Sequence, residues 1–466
     1  MRRTKIICTI GPKTCHYEKL QKLAERGMNV ARLNMSHGDY EWHRKVIKAI
    51  KTLNKKAQYS IAVLIDTKGP EIRSGDVKHE IHLDKGDELI FTVRREAEYA
   101  ANCVDVSYDG FIDDVQVDDR ILVDGGLLKF RVKEKNKKDI ICECRDGGTL
   151  TSRRHLNILG RSANLPSITE KDWKDIEFGI AEGVDFFALS FVKNAQVITD
   201  LKKYLGDKKV AIDVIAKIES AAAIPHIDEI IQVADGVMVA RGDLGAEIPL
   251  EEVPLLQEEI VEKCRKIGNP VIVATHLLES MIVNPTPTRA EVTDISEAVK
   301  EGADAIMLSG ETASGNYPFK AISVMNRVAC RMEQKILEDK EVRVESSSDS
   351  KEEIATSASI MANNLHASGI IVITRRGYMA KLLARCRPNS MVYAFTNTTN
   401  VRRKLNLYWG INPFRIDFSN DPEKTIQRAI NSLKGKELIK EGERVIIVSD
   451  ILAGEKFVET IQVRKV

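Results

Sequence analysis

Short apolar runs recur along the chain: "KIICTI" (5–10), "VARLNM" (30–35), "IAVLID" (61–66), "FFALSF" (186–191), "DVIAKI" (213–218), "GVMVAR" (236–241), "PVIVAT" (270–275) and "AIMLSG" (305–310). Such runs, bounded by polar and glycine residues, read as buried strands. Between them lie amphipathic stretches such as "YEKLQKLAERG" and "PLLQEEIVEKCRKIG", which end in glycine, a usual helix stop. Strand alternating with helix predicts a parallel sheet. Eight such units predict a closed (β/α)8 TIM barrel.

The pattern changes between residues 70 and 165. "KHEIHLDKGDELIFTV" and "DDRILVDGGLLKFRVKEKNKKDIICECRDGGTL" carry period-two alternation with Gly and Asp turns and little helix. This predicts a small β-barrel domain, 70–165, inserted after the third barrel strand. What remains, 1–69 and 166–345, is close to the ~250 residues usual for such a barrel. The polar, serine-rich "EVRVESSSDSKEE" (341–353) reads as a linker. Beyond it, "GIIVIT", "MVYAFT", "PFRIDF" and "RVIIVS" alternate with helices and predict a separate C-terminal α/β domain, 346–466.

Composition narrows the function classes. The 466 residues are 43% hydrophobic and 30% charged, an ordinary globular mix. A net charge of +2 gives no basic field for nucleic acid. No apolar stretch reaches the roughly 18 residues needed to span a membrane. The apolar run near the N-terminus is too short for a signal-peptide core. Eight scattered cysteines fit reduced thiols in a cytoplasm, and "CEC" at Cys142 and Cys144 reads as ordinary strand.

Barrels of this kind carry their chemistry at the C-terminal ends of the strands, and alternate residues of a strand share a face. Here the second run ends in Arg32, Asn34 and Ser36, and the third in Asp66 and Lys68. The fifth ends in Lys217 and Glu219, and the sixth in Arg241 and Asp243. The seventh ends in Thr275, and the eighth in Ser309, followed by Glu311. One strand that ends in charge is only leaving the core; many strands of one barrel doing so point to a site. Glu219 and Asp243, with substrate oxygens and water, suit Mg2+ or Mn2+ and not zinc. Lys217 and Arg73 add fixed positive charge, which suits a substrate carrying carboxylate and phosphate. Gly242 lets main-chain N–H groups reach an anion. No GxxxxGK[ST] loop occurs, and "GDLG" is not a dinucleotide fingerprint.

The stretches "TKIICTIGP", "MNVARLNMSHG", "DTKGPEIRSG", "IAKIES", "VMVARGDLGAEIP", "ATHLLESM" and "PTPTRAEVTDISEAVKEGADAIMLSGETASGNYP" together resemble pyruvate kinase. The resemblance runs from residue 4 to about 330 and continues more weakly to the end. It implies transfer of the phosphoryl group of phosphoenolpyruvate to ADP, giving pyruvate and ATP. Residue by residue, it implies that Arg32 and Arg73 contact phosphate and that Lys217 stabilises the phosphoryl group in flight. It places Mg2+ (or Mn2+) on Glu219 and Asp243, and K+ on Asn34, Ser36, Asp66 and the Thr67 carbonyl. The Gly242 and Asp243 amides and the Thr275 hydroxyl would bind the substrate carboxylate. Thr275 and Ser309 would order the water that protonates the enolate. Arg73, Asn34, His37 and Lys171 would face the nucleotide. Glu71 stands where members that work without K+ carry Lys, which implies dependence on K+.

The sequence departs from the family pattern in two places. His276 stands in "ATHLLESM" where Gln or Asn is usual. "TRRGYMAK" lacks the hydroxyl-rich phosphate loop of members activated by fructose 1,6-bisphosphate, so a monophosphate, a sugar phosphate or AMP, is the expected effector. With "YAFTN" and "SDILAGE" it looks closer to the plastid-type and related bacterial branch. The absence of a transit peptide favours a bacterial cytoplasm, and the resemblance suggests a homotetramer. A metal-dependent aldolase or lyase on a related barrel would need neither the inserted domain, the K+ cluster nor Lys217. A non-catalytic metabolite-binding protein would not need every charged position.

Overall fold

The computed structural model describes residues 1–56, 58–96, 99–160, 164–338, 349–453 and 456–466. Its eight parallel strands are β1 (Lys5–Thr9), β2 (Val30–Asn34), β3 (Ala62–Asp66), β4 (Phe186–Leu189), β5 (Asp213–Ile218), β6 (Gly236–Ala240), β7 (Val271–Ala274) and β8 (Ala305–Leu308). They close into a barrel in chain order, with β8 pairing β1. Every run expected as a barrel strand is one. The closed barrel has two apolar layers. Ile7, Leu64, Phe186, Ile215, Met238 and Met307 fill its inside. Alternate residues such as Ile6, Ile65, Phe187 and Val273 face the helices.

Local chemistry stops the elements where the sequence suggests. The helix Glu252–Ile267 ends on Gly268 in the left-handed conformation. Arg289–Glu301 opens with a capping box of Thr288 and Glu291. One end differs from the expectation: β6 stops at Ala240, and Arg241–Leu244 form a single helical turn instead of extending the strand.

Between β3 and β4 lies a seven-stranded sheet. Its edge strand Ile72–Arg73 pairs with His155–Ile158, with Arg73 opposite His155. Phe91, Phe111 and Phe130 pack edge to face in its core. Cys142 and Cys144 are buried positions of one alternating strand and form no disulfide.

The C-terminal sheet is parallel for Ile411–Arg415, Met391–Thr396, Gly369–Ile373 and Arg444–Ala453. The final strand, Lys456–Lys465, runs antiparallel along its edge. The run expected at 413–418 begins two residues earlier, and its Pro413 is accommodated because the strand is an edge. The boundary expected at 345/346 lies outside the described residues, as do 341–348 of the expected linker. Residues 350–353 of that linker are helical: Asp349 accepts from the backbone N–H of Lys351 and Glu352 and caps the helix Ser350–Asn364. The C-terminal part docks on the barrel floor. Arg403 pairs with Asp185, Lys404 with Asp213 and Arg387 with Asp304, at or just before the starts of β4, β5 and β8. No described helix is long and apolar enough to cross a membrane.

Candidate active site

Parallel strands send all eight C-terminal ends to one mouth. The register sets Asn34 opposite Asp66, and Asp66 opposite Ala188. The Asp66 carboxylate is the hub. It accepts from Arg32 Nε at 2.6 Å and pairs with Lys217 Nζ at 2.9 Å. Lys217 also pairs with Glu219 Oε1 at 2.7 Å and donates to Ser190 Oγ at 2.7 Å. Asp66 and Glu219 are each 1% exposed and Lys217 is 7% exposed.

The electrostatics follow from that burial. Burial pushes the Asp66 carboxyl up, but Arg32 and Lys217 outweigh it and hold the group below its ordinary value. Burial opposes the Lys217 charge, yet Asp66 and Glu219 prevail and raise its pKa. Lys217 is therefore an ammonium at neutral pH. Burial pushes Glu219 up to about 7; Lys217 opposes this, and Asp243 adds to it. The buried Glu219 and the half-buried Asp243 repel one another, a repulsion that a cation between them would relieve. An all-oxygen donor set fits a hard divalent ion. Asn34, Ser36, Asp66 and the Thr67 carbonyl likewise offer only oxygen. Asn34 Oδ1 accepts from the Ser36 N–H at 3.0 Å, and the Thr67 carbonyl accepts from Ser190 Oγ at 2.7 Å. Each carbonyl keeps a second lone pair.

Beside this cluster, the ends of β6 and β7 meet. The Gly242 N–H donates to Thr275 Oγ1 at 2.8 Å, and Thr275 Oγ1 donates to the Ala274 carbonyl at 2.6 Å. A Cβ on Gly242 would lie 3.1 Å from His276 Cε1 and 3.4 Å from Thr275 Oγ1, so any side chain here would crowd His276 and Thr275. Phe191 (φ 52°), Thr275 (φ 67°) and His276 (φ 56°) all adopt the left-handed conformation at the mouth. A β-branched residue there is strained by about 1–3 kcal/mol, the kind of strain that gathers at functional sites. The Phe191 N–H, turned inward, donates to Glu219 Oε2 at 2.7 Å. Gly69 (φ 73°) has Ser190 Cβ only 2.7 Å from where its own Cβ would stand, so the β3 and β4 loops cross only through glycine.

The remaining candidates divide. Ser309 and Glu311 stay at the mouth: the Ser309 and Leu278 N–H groups donate to the two oxygens of Glu311, at 2.7 and 3.1 Å. Lys171 reaches the loop of Asn34 and His37, donating to the Met35 carbonyl at 2.8 Å while paired with Asp175 at 2.7 Å. The His37 residue is exposed on that loop. Arg73 is paired with Glu71 at 2.7 Å, and Nη1 donates to the Arg153 carbonyl at 3.0 Å. Arg241 turns away from the mouth. It pairs with Asp294 and donates to the Thr275 carbonyl at 2.6 Å, bracing the strained turn. Ser190 was missed. Its strand ends without charge, and the only signal was a hydroxyl at the C-terminal end of a barrel strand.

Two family models match: "Pyruvate kinase, barrel domain" over residues 1–322 and "Pyruvate kinase, alpha/beta domain" over 352–464. Plastidial pyruvate kinase 2 of Arabidopsis thaliana is 51% identical over 100% of this chain and 81% of its own length. The chloroplastic pyruvate kinase isozyme G of Nicotiana tabacum is 53% identical over 96% and 80%. A pyruvate kinase crystal structure from Cryptosporidium parvum superposes with a TM-score of 0.92, at 35% identity, covering 100% of this chain and 96% of that one. The expectation of a bacterial cytoplasm is overturned, because the relatives' names point to the plastid. The relatives extend beyond the matched region, so the start of the 466 residues could not decide the question. A barrel mouth built on Asp66, Lys217 and Glu219, matches over both parts of the chain and a shared fold lead to one conclusion: the chain belongs to the pyruvate kinase family.

Proposed function

We propose that the reaction this chain catalyses as a member of its family, phosphoryl transfer from phosphoenolpyruvate to ADP with formation of pyruvate and ATP, is centred on Lys217. The observation that carries this is the buried ammonium, held between Asp66, Glu219 and Ser190. Its charge is fixed before substrate arrives, so it meets the equatorial oxygens of the transferring group without reorganisation. Arg32 and Arg73 contact phosphate. Arg73, Asn34, His37 and Lys171 face the nucleotide. The Gly242 and Asp243 amides and Thr275 bind the substrate carboxylate, and Thr275 and Ser309 order the water that delivers a proton to the enolate carbon.

The family is metal-dependent. Glu219 and Asp243 would hold Mg2+ (or Mn2+), which when bound neutralises charge on the phosphate oxygens. Asn34, Ser36, Asp66 and Thr67 would hold K+, adding one more positive charge. In this reading residues 1–69 and 166–345 form the catalytic domain, 70–165 a lid and 346–466 a regulatory domain. The loop Thr374–Gly377 borders a cavity of about 630 Å3 with Arg375, Arg376 and Tyr378, suited to a phosphorylated effector. The exposed Val458 and Val463 of the edge strand suit a second copy, as a homotetramer needs.

The test is ATP formation from phosphoenolpyruvate and ADP, its loss on chelation of divalent metal and its return with Mg2+ or Mn2+. An aldolase or lyase would form no ATP.

A further inference from the structure

The strand that carries Arg73 and the loop that carries Glu219 come from different parts of the chain. One buried side chain holds both. Glu247, 7% exposed, follows the helical turn Arg241–Leu244. Its Oε2 accepts from the Ala221 N–H at 2.8 Å, two residues beyond Glu219. Its Oε1 accepts from Asn157 Nδ2 at 3.3 Å, and its carbonyl accepts from the Gly160 N–H at 3.3 Å. Asn157 lies in the strand His155–Ile158, whose partner strand is Ile72–Arg73. A cavity of about 40 Å3 separates the two parts here, lined by Asn157, Lys193, Ser220 and Glu247 among others.

Burying a carboxylate is unfavourable by several kcal/mol unless its hydrogen bonds are made. Burial pushes this one up to about 7 against the bonds from Ala221 and Asn157. An apolar side chain would fill the same space without that penalty, and it would join nothing. The carboxylate has two acceptor oxygens, and each points to a different part of the molecule.

We propose that Glu247 is a positioning residue for phosphoryl transfer: it bolts the Arg73 strand of the inserted sheet to the Glu219 loop of the barrel. This rests on the roles proposed above for Arg73 and Glu219. Both must address one phosphoryl group, and a misplacement of about 1 Å is enough to lower the rate about 10²-fold. Glu247→Gln keeps the bolt. Its Oε1 accepts from Ala221, and its Nε2 donates to Asn157 Oδ1, a buried atom with no hydrogen-bond partner among the described residues.

The test uses the full chain and two assays: ATP formation, and solvent exchange of the C3 protons of pyruvate, which needs the barrel groups but no phosphoryl transfer. Asn157→Ala, which loosens only the Arg73 side, should lower kcat for ATP formation about tenfold or more, with KM for phosphoenolpyruvate and the exchange rate changed less than about threefold. Glu247→Ala, which also frees the Ala221 N–H, should lower kcat at least as much. Glu247→Gln should stay within about threefold of the parent in both assays, and the Asn157→Ala/Glu247→Ala double variant should be no slower than the worse single. If Glu247→Ala does not fold, Asn157→Ala decides alone. Parental ATP formation in Asn157→Ala overturns the proposal, and so does a parallel fall of both activities of Asn157→Ala together with its Tm. A Lys217→Met variant with normal turnover would instead overturn the reading of the site itself.

Discussion

Lys217 and Asp66 form a buried ion pair, Nζ to Oδ1 at 2.9 Å, across the mouth of the barrel. Their strands, β5 and β3, are not neighbours. β4 runs between them, and Ser190 at its end bonds to both side chains. The pair thus ties three strands together at the mouth of the barrel.

Asp66→Asn should be severe for stability as well as for rate. It leaves the buried Lys217 and the partly exposed Arg32 with one carboxylate fewer, a loss of about 3–5 kcal/mol where a buried pair is broken. Thermal unfolding should show a Tm several degrees below the parent. A Tm within about a degree would mean that the carboxylate does not balance the two cations.

Lys5 supplies a pH test away from the site. It is 4% exposed, and its Nζ donates to the Ile411 carbonyl between the barrel and the C-terminal sheet. Burial, helped by Arg2, pushes its pKa down to about 7, against Glu333 and Asp304. In the unfolded chain the group keeps its ordinary value near 10.5. Between those values the unfolded chain holds a proton that the folded chain has released, so stability rises with pH across this window. Lys5→Met removes the titration. The Tm of the parent relative to Lys5→Met should climb from pH 7 to pH 10. A constant difference would show that Lys5 titrates normally in the fold.

Activity should require a monovalent cation. Arg32 and Lys217 already engage the Asp66 carboxylate, and Glu71 is paired with Arg73, so K+ would not be needed to balance a lone carboxylate. The K+ would act by its charge near the phosphoryl group. At a few ångströms and an effective dielectric near 20, that is worth about 2–4 kcal/mol. Turnover in a buffer with only a bulky organic cation should fall by about 10²-fold or more and return with K+. Glu71→Lys should weaken the dependence. Equal rates with and without K+ would rule it out.

Much of this was legible in the sequence. The eight strands announce themselves because each apolar run is short and is followed by polar residues. What was not legible was direction and meeting. Arg241 and Asp243 are two residues apart and would share a face of a strand, yet the strand ends at Ala240 before both, and the helical turn Arg241–Leu244 sends Arg241 to Asp294. The pairing of Asp66 with Lys217 depends on β4 and on how the barrel closes. The strand Lys456–Lys465 went unread because "KFVETIQVRK" mixes charge with apolar residues, as exposed edges do. The helix from Ser350 was hidden in a serine-rich run whose aspartate is a cap.

The C-terminal cavity carries a prediction on regulation. Arg375 and Arg376 line it beside Tyr378 and Met379, and in the proposed reading they would suit one phosphate group better than two. Fructose 1,6-bisphosphate should activate weakly or not at all, and a sugar monophosphate or AMP should activate more. Strong activation by the bisphosphate at micromolar concentration would contradict this.

The most direct measurement is steady-state ATP formation from phosphoenolpyruvate and ADP by Lys217→Met beside the parent, with Mg2+ and K+ present. Loss of the buried ammonium should remove several kcal/mol of transition-state stabilisation, about 10³-fold or more in kcat, with a much smaller change in KM for phosphoenolpyruvate. Exchange of the C3 protons of pyruvate should survive, because Thr275 and the carboxylates remain. Turnover near the parental rate would contradict the account.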